Sequence, residues 1–136
     1  MESKKIIIDG SEAIFGRIAS FAAKKALEGN EIVIVNSEKV IITGNKKATI
    51  EKYDNLRKKG GHSQKGPRYS NLPEKMLKRG IRGMFPDHRR GIGREAFKKI
   101  RCYVGVPDEF KNEKMIKIIA PKKLKYIELK ELAKKI

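Results

Sequence analysis

The stretch "KKIIIDGSEAIFGRIASFAAKKALEGNEIVIVN", Lys4 to Asn36, decides the fold. Its opening, Lys4 to Asp9, is an isoleucine run flanked by charge, and it predicts a buried strand with Gly10-Ser11 as the exit. In "FGRIASFAAKKALEG", Ile18, Phe21, Ala22 and Lys25 recur at helical spacing up to a stop at Gly29. Glu31 to Asn36 is a β-branched run of the kind that fills central strands. Strand, helix and strand in this order predict a right-handed crossover and a parallel pair. The turn "NSEK" then leads to "VIIT", Val40 to Thr43. So short a connection predicts an antiparallel return and a mixed sheet.

Farther along, "KKATIEKYDNLRKK" after Gly44-Asn45 predicts a helix with Ala48, Ile50, Tyr53 and Leu56 on its inner face. From Gly60 to Leu72 the pattern gives way to Gly, Pro and polar residues. Such a loop has too little apolar content to pack on itself, and it is expected to be mobile in the free protein and ordered by a partner. Pro73 suits a helix start for "PEKMLKRGIRGMF", and Pro86 stops it. "REAFKKI" predicts a short helix and "RCYVGV" a last strand. The tail alternates lysines with apolar residues and closes in an amphipathic helix, "YIELKELAKKI". At 136 residues, the chain is expected to form one domain, 1–136, with a modest core.

Charge narrows the function. The net charge is +17, with 33 Lys/Arg against 16 Asp/Glu. The excess is concentrated: Arg57 to Arg101 holds 15 basic residues and three acidic ones, leaving 18 and 13 across the rest. Eight of the nine arginines lie in that segment, and only Arg17 lies outside it. Lysines solubilise any surface, but guanidinium groups suit bidentate phosphate contacts and stacking on bases. A polyanionic partner follows, and nucleic acid suits it better than a membrane. No apolar run approaches the roughly 20 residues that span a bilayer. The N-terminus has no secretory core, and the single cysteine, Cys102, cannot form an internal disulfide. An intracellular setting is expected.

Two glycine motifs suggest nucleotide chemistry. Gly91-Ile92-Gly93-Arg94-Glu95-Ala96 fits the dinucleotide pattern G-x-G-x-x-G/A. That site needs a strand before it and an acid about 20 residues on. Here Asp87-His88-Arg89-Arg90 precedes it as a loop, and Asp108 and Glu109 follow a proline, so no cofactor is expected. "TGNKKAT", Thr43 to Thr49, lacks the first glycine of a phosphate loop, because Lys39 stands there. Its Lys46 and Lys47 at a helix start could hold one phosphate, or mark an ordinary helix entry. His62, His88 and Asp87 make no convincing metal shell. Cys102 reads as a structural thiol, and no paired carboxylates suggest acid–base catalysis. No catalytic residue, metal site or small-molecule substrate is expected.

The positive signal is arginine beside glycine: Arg79-Gly80, Arg82-Gly83, Arg90-Gly91, Gly93-Arg94. Glycine lets the main chain approach a phosphate while the neighbouring guanidinium bonds to it. Duplex-DNA modules are missing, and an irregular Arg/Gly surface suits folded RNA. The expected RNA-facing cluster is Arg79, Arg82, Arg89, Arg90 and Arg94. At its margins stand Lys58, Lys59, His62, Lys65, Arg68, Lys78, Lys98 and Lys99.

The blocks "IDGSEAIFGRIAS" and "VIVNSEKVIITGNKKAT" are followed in order by "IRGMFP", "REAFKKI" and "CYVGVP". With these blocks the chain resembles the universal ribosomal protein L-thirteen family of the large subunit. The form "HSQKGPRYSNLPEKMLKRGIRGMFP" resembles the archaeal and eukaryotic branch. The resemblance covers nearly the whole chain. It implies an α/β fold, a three-layer α/β/α sandwich around a mostly parallel four-stranded sheet. It also implies a structural, non-catalytic role on large-subunit ribosomal RNA beside neighbouring ribosomal proteins, in the cytoplasm, with early involvement in assembly.

Overall fold

The computed structural model describes residues 4–59, 69–118 and 125–136. The opening unit is strand, helix, strand: β1 (Lys5–Asp9), α1 (Phe15–Leu27) and β2 (Glu31–Val35). β1 and β2 are parallel, with Ile6 opposite Ile32 and Ile8 opposite Ile34. β4 (Ile100–Cys102) joins the far side of β2, and β5 (Ile116–Lys117) the far side of β1, both parallel. The four-stranded sheet therefore runs β4-β2-β1-β5.

Side-chain alternation sorts the strands' apolar residues onto two faces. Ile8, Ile32, Ile34 and Ile100 point into the main core with Ile18, Ala19, Ala22, Ala23 and Ala26 of α1. The alanines keep the helix backbone close to the sheet. Beside α1 lie α3 (Pro73–Arg82) and α4 (Gly91–Lys98), which add Met76, Leu77, Ile81 and Ala96. Ile7, Val33 and Val35 face the other way and are covered by Phe110, Tyr103, Val106 and Met115. Both faces are buried, which is why β1 and β2 read as continuous apolar runs. The three layers are unequal. Among the described residues, the second face carries a one-turn 3-10 helix, Asp108–Phe110, and its flanking loops.

The antiparallel return expected for Val40–Thr43 needs correction. β3 (Ile41–Thr43) leaves the main sheet and pairs antiparallel with β6 (Tyr126–Glu128), Ile42 opposite Ile127. The cause is local: Asn36 is left-handed at φ 55°, and Ser37–Lys39 form a 3-10 turn that redirects the chain. Tyr126–Glu128 was expected to be helical, but only Leu129–Lys135 (α5) forms helix. β5 lies in the tail where no strand was expected. α4 starts at Gly91, three residues before the expected Arg94. α2 (Lys46–Lys58) has no fully buried residue: Ile50, Tyr53 and Leu56 are half-buried, and Ala48 is exposed. Most of the expected mobile loop, residues 60–68, lies outside the described residues.

The strand ends are tied together by polar contacts. Asp9 Oδ1 accepts the Ser11 N–H and the Asn36 side-chain amide, each at 3.0 Å. Asn36 N–H donates to Gly105 O at 2.9 Å, and Gly105 N–H donates to Glu38 Oε2 at 3.0 Å. The chain's own loops thus fill ground beyond the strands' carboxyl ends, where open α/β sheets usually take ligands. Partial burial pushes the Asp9 carboxyl up, but the Ser11 and Asn36 bonds outweigh it and hold it below its ordinary 3.8. Its contribution to stability is therefore present above that value and lost on acidification. Asp9→Ala is expected to cost about 2 kcal/mol in urea unfolding at neutral pH, less in acid.

Candidate nucleic-acid interface

The segment from α3 to α4 places the arginines. After α3, Phe85 turns into the core, while Met84 is 46% exposed. Asp87 Oδ1 accepts the Arg89 N–H at 2.9 Å and tightens the turn. Gly91 opens α4 at φ +58°, a conformation L side chains rarely adopt. Gly93 is buried, and a Cβ on it would collide with the Asp87 carbonyl. α4 is fixed further by buried Ala96 and by Phe97, whose ring meets Phe85 edge-on at 6.0 Å. Arg89, Arg90 and Arg94 stand exposed on this frame. With Lys99 they line a groove of about 690 Å³ whose wall is Ala26, Leu27 and Gly29, and among the described residues Glu95 is its one acid.

Arg79 and Arg82 belong to another cleft, between α2 and α3, with Tyr53, Tyr69, Lys52 and Lys75. The five arginines expected as one cluster thus line two surfaces. Some marginal cations already have protein partners. Lys58 Nζ pairs with Asp54 at 2.8 Å, Lys78 lies 5.3 Å from the Phe97 ring centre, and Lys99 Nζ donates to Gly29 O at 3.3 Å. Lys59 and Lys98 are exposed. His62, Lys65 and Arg68 lie outside the described residues. Sequence reasoning did not single out Lys52, Tyr53, Tyr69 and Lys75, which line this cleft. Helical spacing had assigned Tyr53 to packing, and nothing local marks Tyr69 as the ring that meets Arg79.

The element before Gly91 is helix α3 and its turn, not a strand. Gly93 packs on backbone, so the dinucleotide pattern lacks its structural setting. The family model described as Ribosomal protein L13 matches residues 3–109. The chain belongs to the ribosomal protein L13 family. It is 42% identical to the large ribosomal subunit protein uL13 of Methanosarcina barkeri over 136 residues, 96% of each chain. It is 44% identical to that of Methanocaldococcus jannaschii over 133 residues, 94% of each. The corresponding protein of Methanococcus maripaludis is 40% identical over 131 residues, again 94% of each. The L13 family is structural and non-enzymatic.

Other reactive-looking groups in this L13-family chain have structural surroundings. At the start of α2, Asn45 Oδ1 accepts the Lys47 N–H at 2.9 Å, which makes "TGNKKAT" a capped helix entry. His88 sits beside the Phe97 ring, 6.3 Å between centres. Among the described residues, no group of three or more His, Cys, Asp or Glu could hold a metal. No described helix is long and apolar enough to cross a membrane. Burial pushes the Cys102 thiol up to about 12, with nearby Lys78 only partly offsetting it. Since the thiolate is the reactive form, disulfide-exchange reagents at pH 8 should label folded protein about a hundredfold more slowly than unfolded protein. Equal rates would show that Cys102 is accessible and ionisable.

Proposed function

We propose that this protein is a structural constituent of the large ribosomal subunit that binds and stabilises folded ribosomal RNA, early in subunit assembly. Residues 1–136 act as one RNA-binding domain, with 57–101 as its RNA-facing segment. Its partners are large-subunit ribosomal RNA and neighbouring large-subunit proteins, and its place is the ribosome in the cytoplasm. The observation that carries this is the rigid presentation of Arg89, Arg90 and Arg94. A turn and a short helix, locked by the Gly93–Asp87 approach, hold three exposed guanidiniums beside a groove with one acid among the described residues. With the backbone beneath them fixed, these arginines offer planar forks that suit bidentate phosphate contacts, and such contacts read backbone position, not base identity. The family membership supports the same reading.

Native protein in a cell lysate should co-sediment with large subunits through a sucrose gradient, and with their precursors if binding is early. Recovery only at the top of the gradient would refute the assignment. Equilibrium dialysis against NAD and ATP should show no micromolar binding of either.

A further inference from the structure

The second cleft differs in kind from the arginine groove. It lies between α2 and α3 and encloses about 520 Å³. The Arg79 guanidinium carbon lies over the Tyr69 ring, 3.7 Å from its centre. Tyr53 and Phe15 add two more rings to the lining. Phe15 reaches the cleft because residue 80 is glycine: a Cβ there would collide with the Phe15 ring. Lys52, Lys75 and Arg82 also line it, and among the described residues no Asp or Glu does. Among the described residues, the groove beside Arg89–Arg94 has no aromatic in its lining.

We propose that this cleft holds one unstacked base of the bound RNA. The base stacks on the Arg79–Tyr69 pair, and its flanking phosphates meet Lys75 and Arg82. Three features favour this occupant. Flat aromatic and guanidinium surfaces are what an unpaired base stacks on, whichever base it is. The volume suits a single planar ring system with room for its sugar. The described lining residues offer cations without a competing carboxylate, as a phosphate on either side of the base requires. The inference rests on the RNA-binding reading above and divides the labour: the groove takes backbone, the cleft takes a base.

The test uses the full chain and a short single-stranded oligouridylate, whose bases stack weakly, carrying one 2-aminopurine, beside the same strand with an abasic residue there. Binding should quench the 2-aminopurine fluorescence, and the abasic strand should bind about tenfold more weakly. Tyr69→Ala should abolish the quench and bring the two strands within about twofold of each other. Arg79→Lys keeps the charge but loses the plane, and should also shrink the abasic penalty, which covers the case in which Tyr69→Ala fails to fold. Alanines at Arg89, Arg90 and Arg94 should weaken both strands while preserving their ratio. Salt-dependent binding without quench or abasic penalty would overturn the base site and leave RNA binding intact. A quench that persists in both cleft variants would overturn it too. Failure to bind either strand would overturn the base site alone, and failure to bind folded large-subunit RNA as well would overturn the RNA-binding reading.

Discussion

Gly93→Ala is expected to lower unfolding stability by about 3 kcal/mol, the upper end for forcing an extra methyl into a packed site. The reason is the identity of the obstacle. A Cβ at residue 93 would meet the Asp87 carbonyl, and its distance to the Asp87 backbone N would be 3.2 Å, so main chain would have to move. Asp87 also anchors the turn through its bond to Arg89 N–H. Moving it therefore disturbs both the turn and the start of α4. Gly80→Ala makes the informative contrast. Its added methyl would strike the Phe15 ring, a half-buried side chain that can swing aside. A cost of about 1 kcal/mol is expected there. Urea midpoints for the two variants should rank Gly93→Ala well below Gly80→Ala. The reverse order would mean that the 87–93 approach is loose and that the arginine frame is not rigid.

The same pair of glycines shows what the sequence could disclose. Glycine beside arginine was visible and suggested main chain approaching phosphate at positive φ; of those glycines only Gly91 has positive φ, while Gly80 and Gly93 pack against the chain itself. Which backbone contact required Gly93 was not visible, because Asp87 lies six positions away and meets it only once the turn has closed. The opening unit was far more legible. Strands β1 and β2 are buried on both faces and α1 carries its alanines on one side, so composition and period agree with the tertiary outcome. The antiparallel partner of β3 was not legible. Ile41–Thr43 and Tyr126–Glu128 are three-residue strands separated by most of the chain, and neither shows a register on its own. Likewise β5 is two residues long and gains its identity only from lying beside Ile8 and Asp9. At the candidate site, arginine enrichment identified the segment, but linear spacing suggested one cluster. Helix α3 directs Arg79 and Arg82 toward α2, while the turn after Phe85 carries Arg89, Arg90 and Arg94 toward the end of α1.

That division makes the arginine groove separable by mutation. Replacing Arg89, Arg90 and Arg94 together with alanine should flatten the plot of log affinity against log salt by about two to three units, roughly 0.7–0.9 per lost phosphate contact. Near 0.1 M salt this corresponds to about a hundredfold weaker binding to large-subunit RNA. The fold should survive, because all three side chains are exposed and the core is built from Ile8, Ile18, Ile32, Ile34 and their neighbours. Their removal leaves Ala96, Phe97 and the Gly93–Asp87 approach untouched. Far-ultraviolet circular dichroism and the urea midpoint of the variant should match those of the parent within about 0.5 kcal/mol. Changing Lys58, Lys78 and Lys99 to alanine should alter the slope much less, since each already has a partner in Asp54, the Phe97 ring or the Gly29 carbonyl. If the arginine variant keeps the parental slope, RNA phosphates are held elsewhere. If it loses its fold, the three arginines are structural and the interface assignment fails with them. A selective loss of slope with the fold intact can come only from charges that meet the RNA directly.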